Sequence, residues 1–114
     1  VAKAIDNAED PRLVVLEKYT PWKRTVHNLS KDALYVVYPS GSGPWRIQTV
    51  PVELGSFEDR QSLPKAWAGL SDEALQEVTG IEDAMFCHNG LFIAGAASFE
   101  SVMRMAAMAL QDVQ

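Results

Sequence analysis

Two short runs of β-branched and aromatic residues, Leu34-Tyr-Val-Val-Tyr38 and Trp45-Arg-Ile-Gln-Thr-Val50, flank the loop Pro39-Ser-Gly-Ser-Gly-Pro44. Such residues suit a pleated, half-buried surface, and a Gly/Ser/Pro loop between two such runs predicts a β-hairpin. In the second run, period-2 alternation puts Trp45, Ile47 and Thr49 on one face and Arg46, Gln48 and Val50 on the other. One face is mostly apolar; the other begins with an arginine and an amide. The polar face is where a ligand is expected.

The remaining elements arrange themselves around this hairpin. Leu13-Val-Val-Leu16 is a short apolar run that reads as a strand, and residues 1–12 before it read as a linker or lead-in. Thr20-Pro21 predicts a capped helix through about Asn28. Residues 51–70 hold Pro51, Gly55, Pro64 and Gly69 and predict a long connection, a kind of segment that is often functional. Ser71 then caps a helix that carries Asp72 and Glu73 in its first turn and ends at Gly80. Met85-Phe-Cys-His88 and Leu91-Phe-Ile93 flank Asn89-Gly90, the signature of a two-residue hairpin turn. Ser98 caps a last helix whose apolar residues Phe99, Val102, Met103, Ala106, Leu110 and Val113 recur at helical spacing. The order β-α-β-β-α-β-β-α predicts an α+β fold, a mixed sheet with helices packed on it, in one domain over 13–114.

Composition narrows the function. The 114 residues carry a net charge of −5, so the broad basic footprint of a free-standing nucleic-acid binder is absent. Cys87 is the one cysteine, which excludes an intrachain disulfide. No apolar run approaches the roughly 18 residues of a membrane span, so a soluble domain with no membrane partner is expected. The chain begins at Val1 rather than a methionine, which is expected of a fragment of a larger parent.

The usual catalytic constellations do not assemble. Cys87 and His88 are neighbours in a predicted strand, so their side chains point to opposite faces and form no nucleophile–base pair. The two histidines stand 61 positions apart with no HxH, HExxH, CxxC or DxD pattern near them, so no metal site and no catalytic residue is assigned. A buried structural thiol is the reading for Cys87. His88 is either satisfied at a core edge or turned to a ligand, and Trp22, Trp45 and Trp67 either stack on bases or pack at core edges.

Pro21-Trp22-Lys23 followed by Trp45-Arg-Ile-Gln-Thr-Val-Pro51 resembles a "PWK … WRVQxVP" pattern. Gly55-Ser-Phe-Glu-Asp-Arg60, then Leu63-Pro64, Trp67, Gly69-Leu70, Leu75 and Gly80-Ile81, resembles "GSFExRxxLPxxWxGLxxxxLxxxxGI". Phe86, His88, Phe92-Ile93, Gly95, Glu100 and Met105-Ala106 continue it. These residues resemble the C-terminal half of the melanocyte-proliferating-gene (MYG) family, metal-dependent hydrolases related to the DHH phosphoesterases. The resemblance runs from about residue 13 to 110. It departs after His88, where Leu91-Phe-Ile-Ala-Gly-Ala96 stands in place of the common "GFIGGN".

The resemblance implies a parent whose N-terminal domain holds divalent metal (Mn or Mg) and hydrolyses phosphodiesters, RNA among them, with this chain as the accessory substrate-binding domain. No cofactor is implied for the chain itself, whose partners would be that catalytic domain and an RNA or phosphodiester substrate. A bacterial parent would be cytoplasmic, and a eukaryotic one mitochondrial or nuclear. The residues expected to face substrate are Arg46, Gln48, Ser56, Arg60 and His88. Arg46 and Gln48 share the polar strand face, Ser56 and Arg60 lie on the Gly-punctuated loop that follows, and His88 can donate a hydrogen bond beside them. The alternative is a non-catalytic domain whose loop 51–70 mediates homodimerisation or docking.

Overall fold

In a computed structural model that describes residues 2–6, 8, 10–56 and 58–111, the chain forms a five-stranded mixed sheet with helices on both sides. The elements are α1 (Ala2–Asp6), β1 (Leu13–Val15), α2 (Lys23–Leu29), β2 (Tyr35–Pro39), β3 (Trp45–Thr49), a 3-10 turn (Lys65–Trp67), α3 (Asp72–Thr79), β4 (Ala84–Cys87), β5 (Ile93–Ala96) and α4 (Phe99–Gln111). The α+β class and the order β-α-β-β-α-β-β-α expected from the sequence are present, with the helical turn α1 added within the lead-in segment.

The strands lie in the order β1-β2-β3-β5-β4. β1 and β2 are parallel and joined by the crossover helix α2, whereas every other pair is antiparallel. The hairpin expected around residues 39–44 forms, with Tyr38 opposite Arg46 and Pro39 opposite Trp45.

The alternation of side chains divides the strands between two cores. On one side Tyr35, Val37, Ile47, Ala94, Ala96 and Cys87 pack against Leu63, Trp67, Leu75, Val102, Met105, Ala106 and Ala109. This larger core is roofed by α3 and α4. On the other side Val14, Leu16, Val36, Tyr38 and Val50 pack against Trp22, Val26 and Ala33, under α2. Burying a large aliphatic side chain contributes roughly 1.5–3 kcal/mol, so α3 and α4 are held by their apolar stripes rather than by local propensity.

Several local expectations shift. α2 starts at Lys23, with Trp22 at the N-cap position and no capping side chain. Trp22 is buried to 2% exposure, so the indole anchors the start of the helix in place of the Thr20 hydroxyl. Ser71 occupies the N-cap position of α3 but makes no side-chain cap bond, whereas Gly80 closes the helix at φ +71°, a conformation glycine adopts without a Cβ penalty. Ser98 does cap α4, its Oγ accepting from the Ser101 N–H at 3.2 Å.

The buried stripe of α4 is Ser101, Val102, Met105, Ala106 and Ala109, rotated from the expected one; Phe99 is exposed, and Val113 lies outside the described residues. Small side chains on α4 meet small side chains on β5, and close approach selects the alanine side of the helix.

The β4–β5 turn also differs. The His88 carbonyl accepts from the Leu91 N–H at 2.9 Å, and the His88 N–H donates to the Ile93 carbonyl at 2.9 Å. Five residues, His88 to Phe92, therefore connect the strands, four of them beyond the His88–Ile93 hydrogen bond. Leu91 takes the left-handed conformation at φ +59° that a two-residue turn would have given to Asn89 and Gly90.

Candidate functional site

Among the described residues, α1 and α2 pack over the β1–β2 half of their side of the sheet. From β2 across the β3–β5–β4 half, register and alternation set out two rows. Tyr38, Arg46, Gly95 and Phe86 form one; Val36, Gln48, Ile93 and His88 form the next. Neighbouring strands stand roughly 4.8 Å apart, so Gln48 and His88 are about 10 Å apart at Cα. Arg46 and His88 are exposed, while Gln48, Phe86 and Ile93 are half-buried. This half-face is an open shelf with α2 along one side.

Gly95 shapes its floor. A Cβ there would lie 2.7 Å from Cε1 of Phe86 and 3.2 Å from the Trp45 carbonyl oxygen, so glycine lets the phenyl ring lie across the strand. The Arg46 guanidinium carbon stands 5.8 Å from the centroid of that ring. Among the described residues no carboxylate comes within ion-pair distance of Arg46, so its fork is held by an aromatic face and left free to meet an anion.

Gln48 is oriented by the Tyr38 hydroxyl, which donates to its Oε1 at 2.8 Å, and this leaves the amide NH₂ to donate elsewhere. His88 accepts from the Gly90 N–H through Nδ1 at 2.9 Å. In the neutral ring the proton then sits on Nε2, making that nitrogen a donor. The imidazole is steadied by Phe92, with ring centroids 4.6 Å apart. Arg46, Gln48 and His88 thus offer a cation and two donor groups over one shelf. That set has the donors to hold an anionic or carbonyl-rich ligand.

Ser56 and Arg60 stand elsewhere. The Ser56 Oγ accepts from the Glu58 N–H at 3.0 Å within the loop, and its own N–H donates to the Glu53 carbonyl. The Arg60 N–H donates to the Val50 carbonyl, four residues and about 13 Å along the strand from Arg46. Its Nη1 donates to the carbonyls of Ser30 and Ala33, both at 2.9 Å, so the guanidinium tethers the loop between α2 and β2. Neither arginine pairs with Glu58 or Asp59 in the manner of a local surface salt bridge.

Leu91 packs against the larger core, where the lengthened turn carries it. Trp22 and Trp67 are buried, and Trp45 packs edge-to-face on Phe99 at 4.8 Å, so all three tryptophans serve packing. Cys87 is buried, with its thiol pushed up to about 11 by burial. Among the described residues no three His, Cys, Asp or Glu side chains converge as metal ligands. The divalent metal implied for the parent thus finds no ligand set among them.

The shelf also holds residues that the sequence reading passes over. Counting the hairpin register outward from the Gly/Ser loop would have placed Tyr38 beside Arg46. Tyr19, which packs on Tyr38 at 5.1 Å, is brought there by long-range packing and left no local signal.

The sequence model of the MYG1 exonuclease family, described as uncharacterised protein family UPF0160, matches residues 1–110. The chain is 37% identical to the MYG1 protein YER156C of Saccharomyces cerevisiae over 96% of this chain and 36% of that one. It is 35% identical to the MYG1 protein C694.04c of Schizosaccharomyces pombe over 98% of this chain and 36% of that one. It is 40% identical to the human MYG1 exonuclease over 75% of this chain and 24% of that one. No solved structure matches. No helix among the described residues is long and apolar enough to cross a membrane. The chain spans about a third or less of the length of these relatives, and with a family match over nearly its whole length it belongs to the MYG1 family.

Proposed function

We infer that this chain is the accessory, substrate-binding domain of a metal-dependent phosphodiesterase or nuclease, and that it meets substrate through the β3–β5–β4 shelf. The observation that carries the reading is Arg46: an exposed guanidinium, steadied over Phe86 and without an acid partner among the described residues. A phosphate oxygen is the partner its geometry suits, because the planar fork donates two parallel hydrogen bonds. Gln48 and His88 flank it with donors that would fix the register of a phosphodiester or sugar. Relatives named exonucleases give this chemistry its context. The catalytic groups would come from another part of a longer chain, the N-terminal domain expected of the family.

Kinetics of the full-length protein test this. Arg46→Ala should leave the melting temperature nearly unchanged while lowering kcat/KM about tenfold or more, the scale of a lost charged hydrogen bond. Normal kinetics in a folded variant would remove Arg46 from the site. The alternative, a dimerisation or docking domain, has one observation in its favour: Val52 and Leu54 are exposed on the 51–70 connection. Sedimentation showing a concentration-dependent dimer that Leu54→Asp dissolves would favour it.

A further inference from the structure

At its β2 end the shelf opens into a shallow pocket of about 290 Å³ lined by Tyr19, Tyr38, Pro39, Ser40 and Arg46. We propose that this pocket is a nucleobase-stacking subsite, in which one base of a single-stranded nucleic acid lies on the ring of Tyr19 while Arg46 holds the adjoining phosphate. It rests on the shelf being the substrate face.

Three independent observations converge here. Tyr19 is 57% exposed yet not loose: it packs edge-to-face on Tyr38 at 5.1 Å and 63°. Tyr38 is in turn buried and tied through its hydroxyl to Gln48. A large flat ring is therefore presented to solvent on a fixed support, which lowers the entropy lost when a second ring stacks on it.

The second observation is Arg46, which lines both this pocket and the shelf. It places a cation beside the aromatic surface, the pairing that single-stranded nucleic acid needs for backbone and base together.

The third is the distribution of charge. Residues 13–50, which build β1, α2, β2 and β3, carry Lys18, Lys23, Arg24, Lys31 and Arg46 against Glu17 and Asp32. Residues 61–111, which build α3 and α4 over the opposite side, carry Lys65 and Arg104 against Asp72, Glu73, Glu77, Glu82, Asp83 and Glu100. The chain is acidic overall, but residues 13–50 carry a net charge of +3 whereas residues 61–111 carry −4. The segment that holds the pocket is basic, with Lys23 partly offset by Asp59, and this local charge favours an anionic strand at the pocket. The pocket is small for a whole ligand and suits a single base, and stacking accepts any base because each has a π-face.

The test uses the full-length protein in EDTA, to prevent cleavage, with fluorescence anisotropy of a labelled pentauridylate and of the same strand made abasic at each position in turn. Tyr19→Ala should weaken binding about tenfold, within the range of one lost base–aromatic stack, and Tyr19→Phe should bind nearly normally. Arg46→Ala should weaken binding and reduce the salt slope by about one. One abasic position should bind weakly and be indifferent to Tyr19→Ala. If Tyr19→Ala melts early, Tyr19→Leu takes its place and should show the same loss.

If Tyr19 variants and abasic strands bind normally while Arg46→Ala does not, the stacking subsite is overturned and the shelf stands. If Arg46→Ala is also silent, both fall. Equal affinity for a phosphoserine peptide of the same charge would overturn the nucleobase assignment.

Discussion

On the side of the sheet covered by α3 and α4, Tyr35, Val37, Ile47, Ala94 and Ala96 are fully buried. On the reverse of the same strands, Arg46, Gln48 and Ile93 keep contact with solvent. The two faces are written by alternate residues of one strand: Ile47 lies between Arg46 and Gln48 in β3. The larger core lies on the first face, whereas on the second the β3–β5–β4 strands leave an arginine and an amide in contact with solvent. A surface that packing does not consume is one on which arginine can stay unpaired at little cost.

The largest effect that could break this contrast is in the closed core. Leu75, on α3, is fully buried, and Leu75→Ala should cost about 3 kcal/mol in urea unfolding of this chain. A cost below about 1 kcal/mol would mean that the α3 roof is not the stabilising layer.

Gly95→Ala tests the floor of the shelf. Its Cβ would collide with the Phe86 ring, so a loss of about 1–3 kcal/mol is expected. The loss should shrink in a Phe86→Ala background, because the two residues share the contact. An unchanged loss would place the strain at the Trp45 carbonyl instead.

The two arginines sharpen the comparison. Arg60→Ala strips a donor from two carbonyls and should cost about 1–3 kcal/mol of stability, whereas Arg46→Ala should cost at most about 0.5 kcal/mol. Arg60→Lys should recover part of the loss, since one ammonium replaces the fork imperfectly. Equal, small costs would mean that the tether seen at Arg60 contributes nothing.

The sheet was legible in the sequence wherever alternation was strong. The 34–50 hairpin, with Ile47 turned in and Arg46 and Gln48 turned out, follows from residue order alone. The position of β5 between β3 and β4 does not, because strand order is decided by which faces the helices can cover. Reading Asn89-Gly90 as a tight turn failed because Leu91 is drawn into the core and stretches the loop. Of the expected site residues, Arg46, Gln48 and His88 meet on one face, and strand alternation was the signal that joined the first two. Arg60 looked equivalent to Arg46 because charge in a sequence carries no record of which carbonyls a loop leaves unpaired; only the path of the 30–33 segment assigns it to them. Tyr19 was invisible for the same kind of reason: its place on Tyr38 depends on how the chain leaves β1.

The central claim is that substrate lies on the open side of the sheet, and photo-cross-linking tests it most directly. A short uridylate carrying 4-thiouridine, bound to the full-length protein and irradiated, should cross-link to peptides containing Trp45–Gln48 and Phe86–Phe92. Adducts confined to α3 and α4, with none on β3 or the β4–β5 turn, would contradict it.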